Sequence, residues 1–270
     1  MRISAVILSF NSEAHIERCL RSLTAGLNGT PEPDDIWVID NGSTDRSRAI
    51  LRRFEEEFPQ VLRVIYCAQN LGTTASRNLA LRRATGRYLM IMDSDVIELP
   101  RTTIEALVEV VERDPTCGIA APRLVYPDGR FQLSTDQFPT ITRKVQRFLR
   151  LRKMEAAAGQ ASPPAGIVPV DYAISALWVL RRDVLERVGL LDERIFYAPE
   201  DVDYCLRVWE AGLRVLYVPT VQAVHDAREI SRRFQSPRFT ISHTKGLLYL
   251  FAKHRYGFGR KQLYRRIGRG

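Results

Sequence analysis

The sequence is poor in cysteine and has no cysteines in a paired arrangement. Its four cysteines (Cys19, Cys67, Cys117 and Cys205) stand far apart among 270 residues, without a Cys-x-x-Cys spacing. A disulfide framework and a cysteine-based zinc site both need such spacings, so neither is expected. We predict buried free thiols in a reducing compartment.

Long apolar runs are also missing. No stretch approaches the ~20 apolar residues that a membrane-spanning helix needs. The mostly apolar run of residues 3–8 is short, and the polar Asn11-Ser12-Glu13 follows it. This pattern indicates a first core strand and not a signal peptide. We expect a cytoplasmic protein whose contact with a membrane is peripheral.

Several catalytic signatures are absent. The sequence has no Walker phosphate-binding loop, no Gly-x-Gly-x-x-Gly, no His-Glu-x-x-His and no Gly-x-Ser-x-Gly. It therefore lacks the patterns typical of P-loop nucleotidases, dinucleotide-binding folds, zinc proteases and α/β-hydrolases.

Acidic residues are missing from the last 41 residues, Ile230–Gly270, which hold 11 Lys and Arg. The first 229 residues hold 29 basic and 31 acidic side chains, so the net charge of +9 belongs to the C-terminal end. Aromatic residues interleave with this charge: Phe234, Phe239, Tyr249, Phe251, Tyr256, Phe258 and Tyr264. The segment is interpreted as a solvated basic helix, as a surface for anionic lipid around Leu247–Phe251, or as a nucleic-acid-binding module.

The body of the chain, with 45% apolar residues overall, can form a sizeable α/β core. Strands are predicted at Ala5–Ser9, Ile36–Asp40, Val61–Tyr66 and Tyr88–Met92, with helical spacing between them. In the second half, strands are predicted at Ala173–Leu180 and Leu213–Val218, and helices at Asp183–Val188 and Val202–Ala211. Residues 141–154 predict a basic amphipathic helix, and residues 156–169 a mobile loop. Apolar strands alternating with helices predict a mostly parallel sheet whose ligand crevice lies beyond the carboxyl ends of the strands.

Two aspartates follow the fourth predicted strand, in Asp93-Ser94-Asp95. Carboxylates at this spacing repel each other unless solvent or a cation lies between them. A divalent ion bridging to a diphosphate is a natural partner, because hard cations take oxygen ligands. The competing interpretation is a solvated turn before Pro100.

Asp40 ends the second strand and precedes an Asn-Gly turn. The turn feeds a helix whose predicted N-cap is Asp45. In the functional interpretation, Asp40 binds a nucleotide base or its ribose. Arg77 follows Gly72 in the next predicted helix, where it either binds a phosphate or base or is a solvated helix residue.

Glu200-Asp201 opens a predicted helix, and His225 ends a strand-like run. Acids in a first helical turn are favourable through the helix dipole alone. In the functional interpretation one of them is a general base beside the crevice. His225 is either a surface or core residue, or it completes a metal or phosphate site.

Taken in order, these segments resemble the inverting family-two glycosyltransferases of GT-A fold. The matching segments of the first half are Val6–Asn11, Val38–Asp45, Asn70-Leu71-Gly72, Arg77-Asn78 and Asp93-Ser94-Asp95. Those of the second half are Leu180-Arg181-Arg182, Val188–Glu193, Glu200–Cys205, Arg207, Gly212 and His225 with Ser231. Within this family, the motifs Glu-Asp-Val-Asp and Asp-Ser-Asp look most like those of the bacterial rhamnosyltransferases. The family commonly has Gly-Ala where this chain has Ser175-Ala176, so the pocket for the donor sugar and acceptor is expected to differ in shape.

The resemblance implies a Rossmann-like, mostly parallel sheet flanked by helices, with a basic helical C-terminal extension. The implied domains are a transferase domain, residues 1–231, with a nucleotide-binding half (1–99) and a catalytic half (100–231), and an extension of residues 232–270. The implied activity is metal-dependent transfer of a sugar, rhamnose from dTDP-rhamnose, to a hydroxyl of a polysaccharide or lipid-linked saccharide. UDP-sugars (galactose, N-acetylglucosamine or glucose) are the alternative donors.

The resemblance also implies residue roles. Residues assigned to the nucleotide sugar are Ser9, Asn11, Asp40, Asn70, Gly72, Arg77, Asp93 and Ser94. Residues assigned to Mn²⁺ or Mg²⁺ are Asp93, Asp95 and His225. Asp201, with Glu200, is assigned to deprotonating the acceptor. The implied location is the cytoplasmic face of the plasma membrane, on anionic lipid and without a nucleic-acid partner. A sugar-1-phosphate nucleotidyltransferase is disfavoured, since Ser9–Ser12 has neither a Gly-rich loop nor a basic residue.

Overall fold

The structure is a computed structural model that describes residues 2–27, 35–141, 164–227 and 237–269, with only the backbone for residues 237–240. The predicted basic helix at 141–154 lies outside the described residues except for Ile141. Most of the predicted loop at 156–169, Ser231, and the side chains of Phe234 and Phe239 also lie outside them.

The first half alternates strands and helices. Its elements are β1 (Ile3–Ser9), α1 (Ile16–Leu27), β2 (Asp35–Asp40), α2 (Ser47–Glu57), β3 (Leu62–Tyr66), α3 (Thr73–Leu81) and β4 (Tyr88–Asp93). All four predicted strands are present. Both faces of β1 are buried, because Ile3, Ala5 and Ile7 pack into one apolar cluster and Val6 into the other. This two-sided burial explains the continuous apolar run in the sequence.

The second half completes the sheet and adds helices. Its elements up to the last strand are β5 (Val96–Glu98), α4 (Arg101–Arg113), β6 (Cys117–Val125), β7 (Phe131–Gln132), β8 (Thr135–Asp136), β9 (Val168–Val170), β10 (Tyr172–Ala173), β11 (Leu177–Arg181), α5 (Arg182–Val188), α6 (Glu200–Glu210) and β12 (Arg214–His225). Two helices follow, α7 (Pro237–Lys253) and α8 (Lys261–Arg266).

The main sheet has the order β3-β2-β1-β4-β11-β6-β12-β5. Strands β3, β2, β1 and β4 are mutually parallel, and β12 is parallel to β6. Strand β11 is antiparallel to β4 and β6, and β5 is antiparallel to β12. Helices α1, α2 and α4 cover one face, and α3, α5, α6 and α7 the other. The predicted α/β fold with a mostly parallel sheet is confirmed.

Two strand predictions need correction. The predicted strand Ala173–Leu180 is two strands, β10 and β11, because the chain turns at residues 174–176. Ser175, within this turn, is buried. The predicted strand Leu213–Val218 continues to His225, because it pairs along its length with β6, which the sequence pattern did not predict. Helix α6 also begins at Glu200, two residues before its predicted start.

The C-terminal helices pack on the body. Leu250, Tyr256, Leu263 and Ile267 are buried in the apolar cluster that includes α6. All four cysteines are free and buried, as predicted. Among the residues the structure covers, we find no helix that is both long and apolar enough to cross a bilayer.

Candidate functional site

The predicted site residues meet at the carboxyl-terminal rim of the sheet. Ser9 and Asp40 are paired neighbours at the ends of β1 and β2. Asp93 ends β4 beside Leu8 of β1. Helix α6 brings Glu200 to the same rim, within reach of the Arg77 guanidinium. Parallel strands place their carboxyl ends together, so the topology explains this convergence.

Ser9 and Asp40 form a buried polar pair at the first two strand ends. Both residues are fully buried. Arg48 Nε donates to Asp40 Oδ2 at 2.6 Å, and Arg48 Nη2 donates to the Cys67 carbonyl at 2.6 Å. Ser9 Oγ and Asp40 Oδ1 have no hydrogen-bond partner among the described residues. Buried polar atoms are normally paired, so these two neighbouring atoms at the strand ends are candidates for contact with a ligand.

Asn70 and Gly72 shape the loop before α3. Asn70 Oδ1 accepts from the Gly72 N–H at 2.8 Å and from Asn41 Nδ2 at 3.0 Å. Gly72 has φ of 84°, and a Cβ there would lie 2.2 Å from the Phe196 carbonyl oxygen. Only glycine fits this contact. The contacts described for Asn70 and Gly72 are all with other residues of the protein. Their binding to the nucleotide sugar stays a prediction.

Asn11 and Ser94 connect neighbouring loops of the rim. Asn11 Oδ1 accepts from the Thr44 N–H at 2.9 Å. Ser94 Oγ lies 2.7 Å from Ser12 Oγ. These bonds fix the loops after β1, β2 and β4 relative to one another, and donor binding by Asn11 and Ser94 also stays a prediction.

Asp93, Asp95 and His225 form a cluster with metal-ligand chemistry. One ligand atom from each of the three lies within 4.8 Å of the others. His225 Nε2 is 3.1 Å from Asp95 Oδ1. The cluster exists because β5, which follows Asp95 directly, pairs with the end of β12 and aligns Val96 with His225. Two carboxylates and an imidazole suit Mn²⁺ or Mg²⁺, so the residues present fit the predicted cation.

The charges of this cluster are balanced by cationic side chains of the protein. Burial, reinforced by the Asp95 charge and opposed by Arg77, raises the pKa of Asp93. Burial disfavours ionised Asp95, but His225 outweighs burial and lowers the pKa of that carboxyl. Burial also disfavours protonated His225, but Asp95 outweighs it and raises the pKa of the imidazole. Positive charge is therefore favoured between the two aspartates.

Arg77 lies inside the protein and connects Asp93 to Glu200. Its guanidinium is 1% exposed and donates through Nη2 to Asp93 Oδ1. Nη1 is 3.1 Å from Ser175 Oγ and 3.4 Å from Glu200 Oε1. These contacts support a role for Arg77 in positioning the carboxylates of Asp93 and Glu200. The predicted contact of Arg77 with a phosphate or base stays a prediction.

Glu200 and Asp201 occupy different environments at the start of α6. Glu200 is 9% exposed, and burial together with the Asp201 charge raises its pKa to about 8. Asp201 is half-buried, and its Oδ1 accepts from the Val202 N–H at 2.8 Å. Since Glu200 holds its proton near neutral pH, Asp201 is the better candidate for a general base.

Three residues of the site were not predicted from the sequence. They are Arg48 against Asp40, Ser175 against Arg77, and Gln132 against His225. Ser175 was noted only as a departure from the family pattern. Arg48 and Gln132 lie in stretches without a recognisable motif, and their contacts arise from sheet pairing and helix packing.

The outward face of the C-terminal helices is apolar and basic. Ile241, Leu248 and Phe258 are 53%, 63% and 87% exposed. The exposed cations of the described C-terminal residues that have no described side-chain partner are Lys245 on α7, Arg255 between the two helices, and Lys261 and Arg265 on α8. We call this set of seven residues the basic–apolar face.

Comparisons with known proteins agree on one family. The profile described as "Glycosyl transferase family 2" matches residues 4–189. The N-acetylglucosaminyl-diphospho-decaprenol L-rhamnosyltransferase of Mycobacterium tuberculosis is 27% identical over 269 residues, which is 93% of this chain and 85% of that protein.

Two solved structures share the fold. The mannosyltransferase PcManGT of Pyrobaculum calidifontis, in complex with GDP-Man and Mn²⁺, has a TM-score of 0.65 at 21% identity and covers 99% of this chain and 68% of its own. S. aureus TarS 1–349, in complex with UDP-GlcNAc, has a TM-score of 0.61 at 17% identity and covers 99% of this chain and 70% of its own.

Proposed function

The chain belongs to glycosyl transferase family 2, and from that membership we propose a metal-dependent transfer of a sugar from a nucleoside diphosphate donor. The acceptor is a hydroxyl of a polysaccharide or a lipid-linked saccharide, and the anomeric configuration inverts. Rhamnose from dTDP-rhamnose is the proposed donor sugar. The Mycobacterium tuberculosis relative at 27% identity supports this choice, because it is named as a rhamnosyltransferase and its name includes a lipid-linked saccharide.

One observation carries the proposal. The cluster of Asp93, Asp95 and His225 lies on the same rim as the unpaired buried atoms of Ser9 and Asp40. A nucleoside diphosphate needs both features, a hydrogen-bonding site for its base and a cation for its two phosphates. Adjacent strands supply both, since Asp40 and Asp93 end the two neighbours of β1.

The base is proposed to bind at Asp40. Arg48 occupies Asp40 Oδ2, which leaves Oδ1 as a hydrogen-bond acceptor. Thymine and uracil present an N–H at the ring position that such an acceptor recognises, whereas cytosine presents an acceptor there. A dTDP- or UDP-sugar therefore fits Asp40 better than a CDP-sugar, and Ser9 Oγ supplies a second hydrogen bond.

Asp93, Asp95 and His225 would hold Mn²⁺ or Mg²⁺. Such an ion, when bound, neutralises charge that develops on the departing nucleoside diphosphate. Arg77 keeps Asp93 in place through its bond to Oδ1. The same guanidinium holds Glu200, so the donor-binding half and the catalytic half share one positioning residue.

The proposed transfer is a single displacement. Asp201 removes the proton of the acceptor hydroxyl while its oxygen forms a bond to the anomeric carbon. The bond from that carbon to the β-phosphate oxygen breaks, and its electron pair leaves with the nucleoside diphosphate. Attack from the face opposite the leaving group inverts the anomeric centre.

The basic–apolar face is proposed to contact anionic lipid at the cytoplasmic side of the plasma membrane. A surface of exposed Leu and Phe beside Lys and Arg matches the chemistry of an interfacial helix. Such contact would bring the rim close to a lipid-linked acceptor. We propose no nucleic-acid partner for this surface.

Donor hydrolysis and transfer test the proposal directly. The purified protein is offered dTDP-rhamnose and UDP-, GDP- and CDP-sugars with Mn²⁺, with Mg²⁺, or with EDTA. We expect turnover of dTDP-rhamnose that EDTA abolishes. Asp95→Asn and Asp201→Asn should each lower kcat by at least 100-fold, since a metal ligand and the general base are lost. Full turnover in EDTA would refute metal dependence, and a preference for a UDP-sugar would replace rhamnose by the alternative donor.

A further inference from the structure

His225 is held on both sides of its ring. Nε2 faces Asp95 Oδ1 at 3.1 Å, and Nδ1 faces the Oε1 atom of Gln132 at 2.8 Å. Both side chains are buried, each 6% exposed. Every ring nitrogen of this imidazole therefore has an assigned neighbour, and the neighbour of Nδ1 is an amide oxygen.

The position of Gln132 is fixed by the sheet. Gln132 belongs to the short strand β7, where it pairs with Leu124 of β6. Strand β6 in turn pairs with β12, with Val125 opposite Val224. Gln132 and His225 are thus fixed relative to each other through β6, although 93 positions separate them in the sequence.

The chemistry of the contact selects one form of the ring. An amide oxygen accepts hydrogen bonds and cannot donate one, so it favours a proton on Nδ1. Asp95 Oδ1 is also an acceptor, so without a cation the ring is favoured with a proton on each nitrogen. A cation bound by the aspartates would replace the Nε2 proton, and the contact with Gln132 would then keep the remaining proton on Nδ1. Histidines that bind metals usually donate their other ring N–H to a fixed acceptor in this way.

We propose that Gln132 is a positioning residue for the cation site: it keeps the Nδ1 proton of His225 in place, so that the Nε2 lone pair would be available to a cation held by Asp93 and Asp95. This inference rests on the proposed metal dependence. It goes beyond that proposal because it gives a function to a residue outside the segments that resemble the family.

Metal affinity of two matched variants tests the role. Gln132→Leu keeps the approximate size of the side chain but removes the acceptor, whereas Gln132→Glu keeps an acceptor oxygen. Mn²⁺ binding to the full chain, without any sugar donor, is measured by electron paramagnetic resonance of free Mn²⁺. We expect Gln132→Leu to weaken binding by about 10–100-fold, and Gln132→Glu to bind within about threefold of the wild type.

A spectroscopic measurement on the wild type keeps the proposal testable even where Gln132→Leu fails to fold. In ¹⁵N-histidine-labelled protein saturated with Mg²⁺ at pH 9, the His225 signal is assigned by its loss in His225→Asn. We expect the ring proton on Nδ1. A proton on Nε2, or wild-type Mn²⁺ affinity in a folded Gln132→Leu, would overturn the role of Gln132.

Asp95→Asn separates this inference from the proposed function. Mn²⁺ binding that is lost in Asp95→Asn but kept in Gln132→Leu would refute only the role of Gln132. Absence of Mn²⁺ binding by the wild-type protein would refute the role of Gln132, whereas full turnover in EDTA would refute the metal dependence itself.

Discussion

Arg77 lies between Asp93 at the end of β4 and Glu200 at the start of α6, and it is almost fully buried. A buried guanidinium is stable only where carboxylates or carbonyls surround it. Ser175 adds a hydroxyl that bonds to Arg77 and to Glu200, the latter at 3.3 Å. The departure from the family pattern at Ser175 therefore has a structural consequence. It adds a hydrogen-bonding group to the pair that joins the two halves of the site.

The raised pKa of Glu200 predicts a pH-dependent stability. Burial and the Asp201 charge raise this pKa to about 8, against about 4.3 in an unfolded chain. Between these values the folded state holds a proton that the unfolded state has released, so stability falls as the pH rises. Glu200→Gln cannot titrate. Its free energy of unfolding relative to wild type should increase from pH 5 to pH 8, by at most ~1.4 kcal/mol per pH unit.

Thermal unfolding at pH 5, 6.5 and 8 measures this difference. Glu105→Gln, which changes an exposed glutamate on α4, is the control and should follow the wild type at every pH. A constant difference in melting temperature between Glu200→Gln and wild type would contradict the raised pKa of Glu200.

The sequence predicted the acids of the site together with Arg77 and His225, but not Arg48 or Gln132. Asp40, Asp93, Asp95 and Glu200 stand at strand or helix ends, where position alone indicates function. Arg48 and Gln132 are ordinary residues of a helix and a short strand, and their partners are distant in the sequence except for Asp40. Their contacts depend on packing between elements, which no local spacing encodes.

Helix α7 is attached to α6, the helix that begins with Glu200 and Asp201. The buried Asp203 accepts from Lys253 Nζ at 2.6 Å and lies 2.8 Å from His254 Nε2. Gly246 of α7 approaches the loop before α6 so closely that a Cβ there would lie 2.2 Å from the Ala198 carbonyl oxygen. The C-terminal helices therefore support the helix that presents the proposed general base.

His254 makes the attachment of α7 sensitive to pH. Burial alone would lower the pKa of His254, but hydrogen bonds to Asp203 and Glu210 outweigh burial and raise it. The stabilisation is fully present below the unfolded pKa of about 6.5 and is lost as the pH rises through the folded value. His254→Gln should lower the free energy of unfolding by about 1.5–3 kcal/mol at pH 6, and by less at pH 9.

Denaturant unfolding of both proteins at pH 6 and pH 9 provides the measurement. Lys245→Gln, which changes an exposed residue of the same helix, serves as the control. Equal destabilisation by His254→Gln at both pH values would show that the charge of His254 does not contribute to the attachment.

The elements of the first half were predictable because each strand is a continuous apolar run between polar loops. Strand β6 was not, since its sequence Cys117–Val125 contains Gly, Ala, Pro and Arg and gives no clear periodicity. Without β6 the length of β12 could not be inferred. The break before β11 follows from the placement of Ser175 near Arg77, a tertiary contact that overrides the local preference for strand.

At the scale of the whole molecule, the cations of the basic end whose side chains the structure describes fall into two groups. Lys253, Arg266 and Arg269 form ion pairs with acids of the body, and Arg260 donates to the Phe138 carbonyl. The cations of the basic–apolar face are exposed, as are Leu248 and Phe258. The charge asymmetry seen in the sequence thus serves both the attachment of the C-terminal helices and an exposed surface.

Vesicle binding tests the exposed group. The wild-type protein should float with vesicles of phosphatidylglycerol and phosphatidylcholine but not with phosphatidylcholine alone, because the face combines apolar and cationic side chains. Leu248→Ser together with Phe258→Ser should weaken binding to the anionic vesicles by at least about tenfold. Ile167→Ser, which changes an exposed apolar residue of the body, is the control. Flotation independent of anionic lipid, or unchanged in the double variant, would refute membrane contact through this face.

The pairing of β5 with the end of β12 also affects how the protein folds. Asp95 and His225 are 130 positions apart in the sequence, and β12 is the last strand of the sheet along the chain. Contacts of such long sequence separation have a large entropic cost of loop closure and form late. A nascent chain that ends before β12 lacks His225, one of the three residues of the proposed cation site, even when β1 to β4 have formed. Acquisition of high metal affinity during refolding would therefore report closure of the sheet and not collapse of the core.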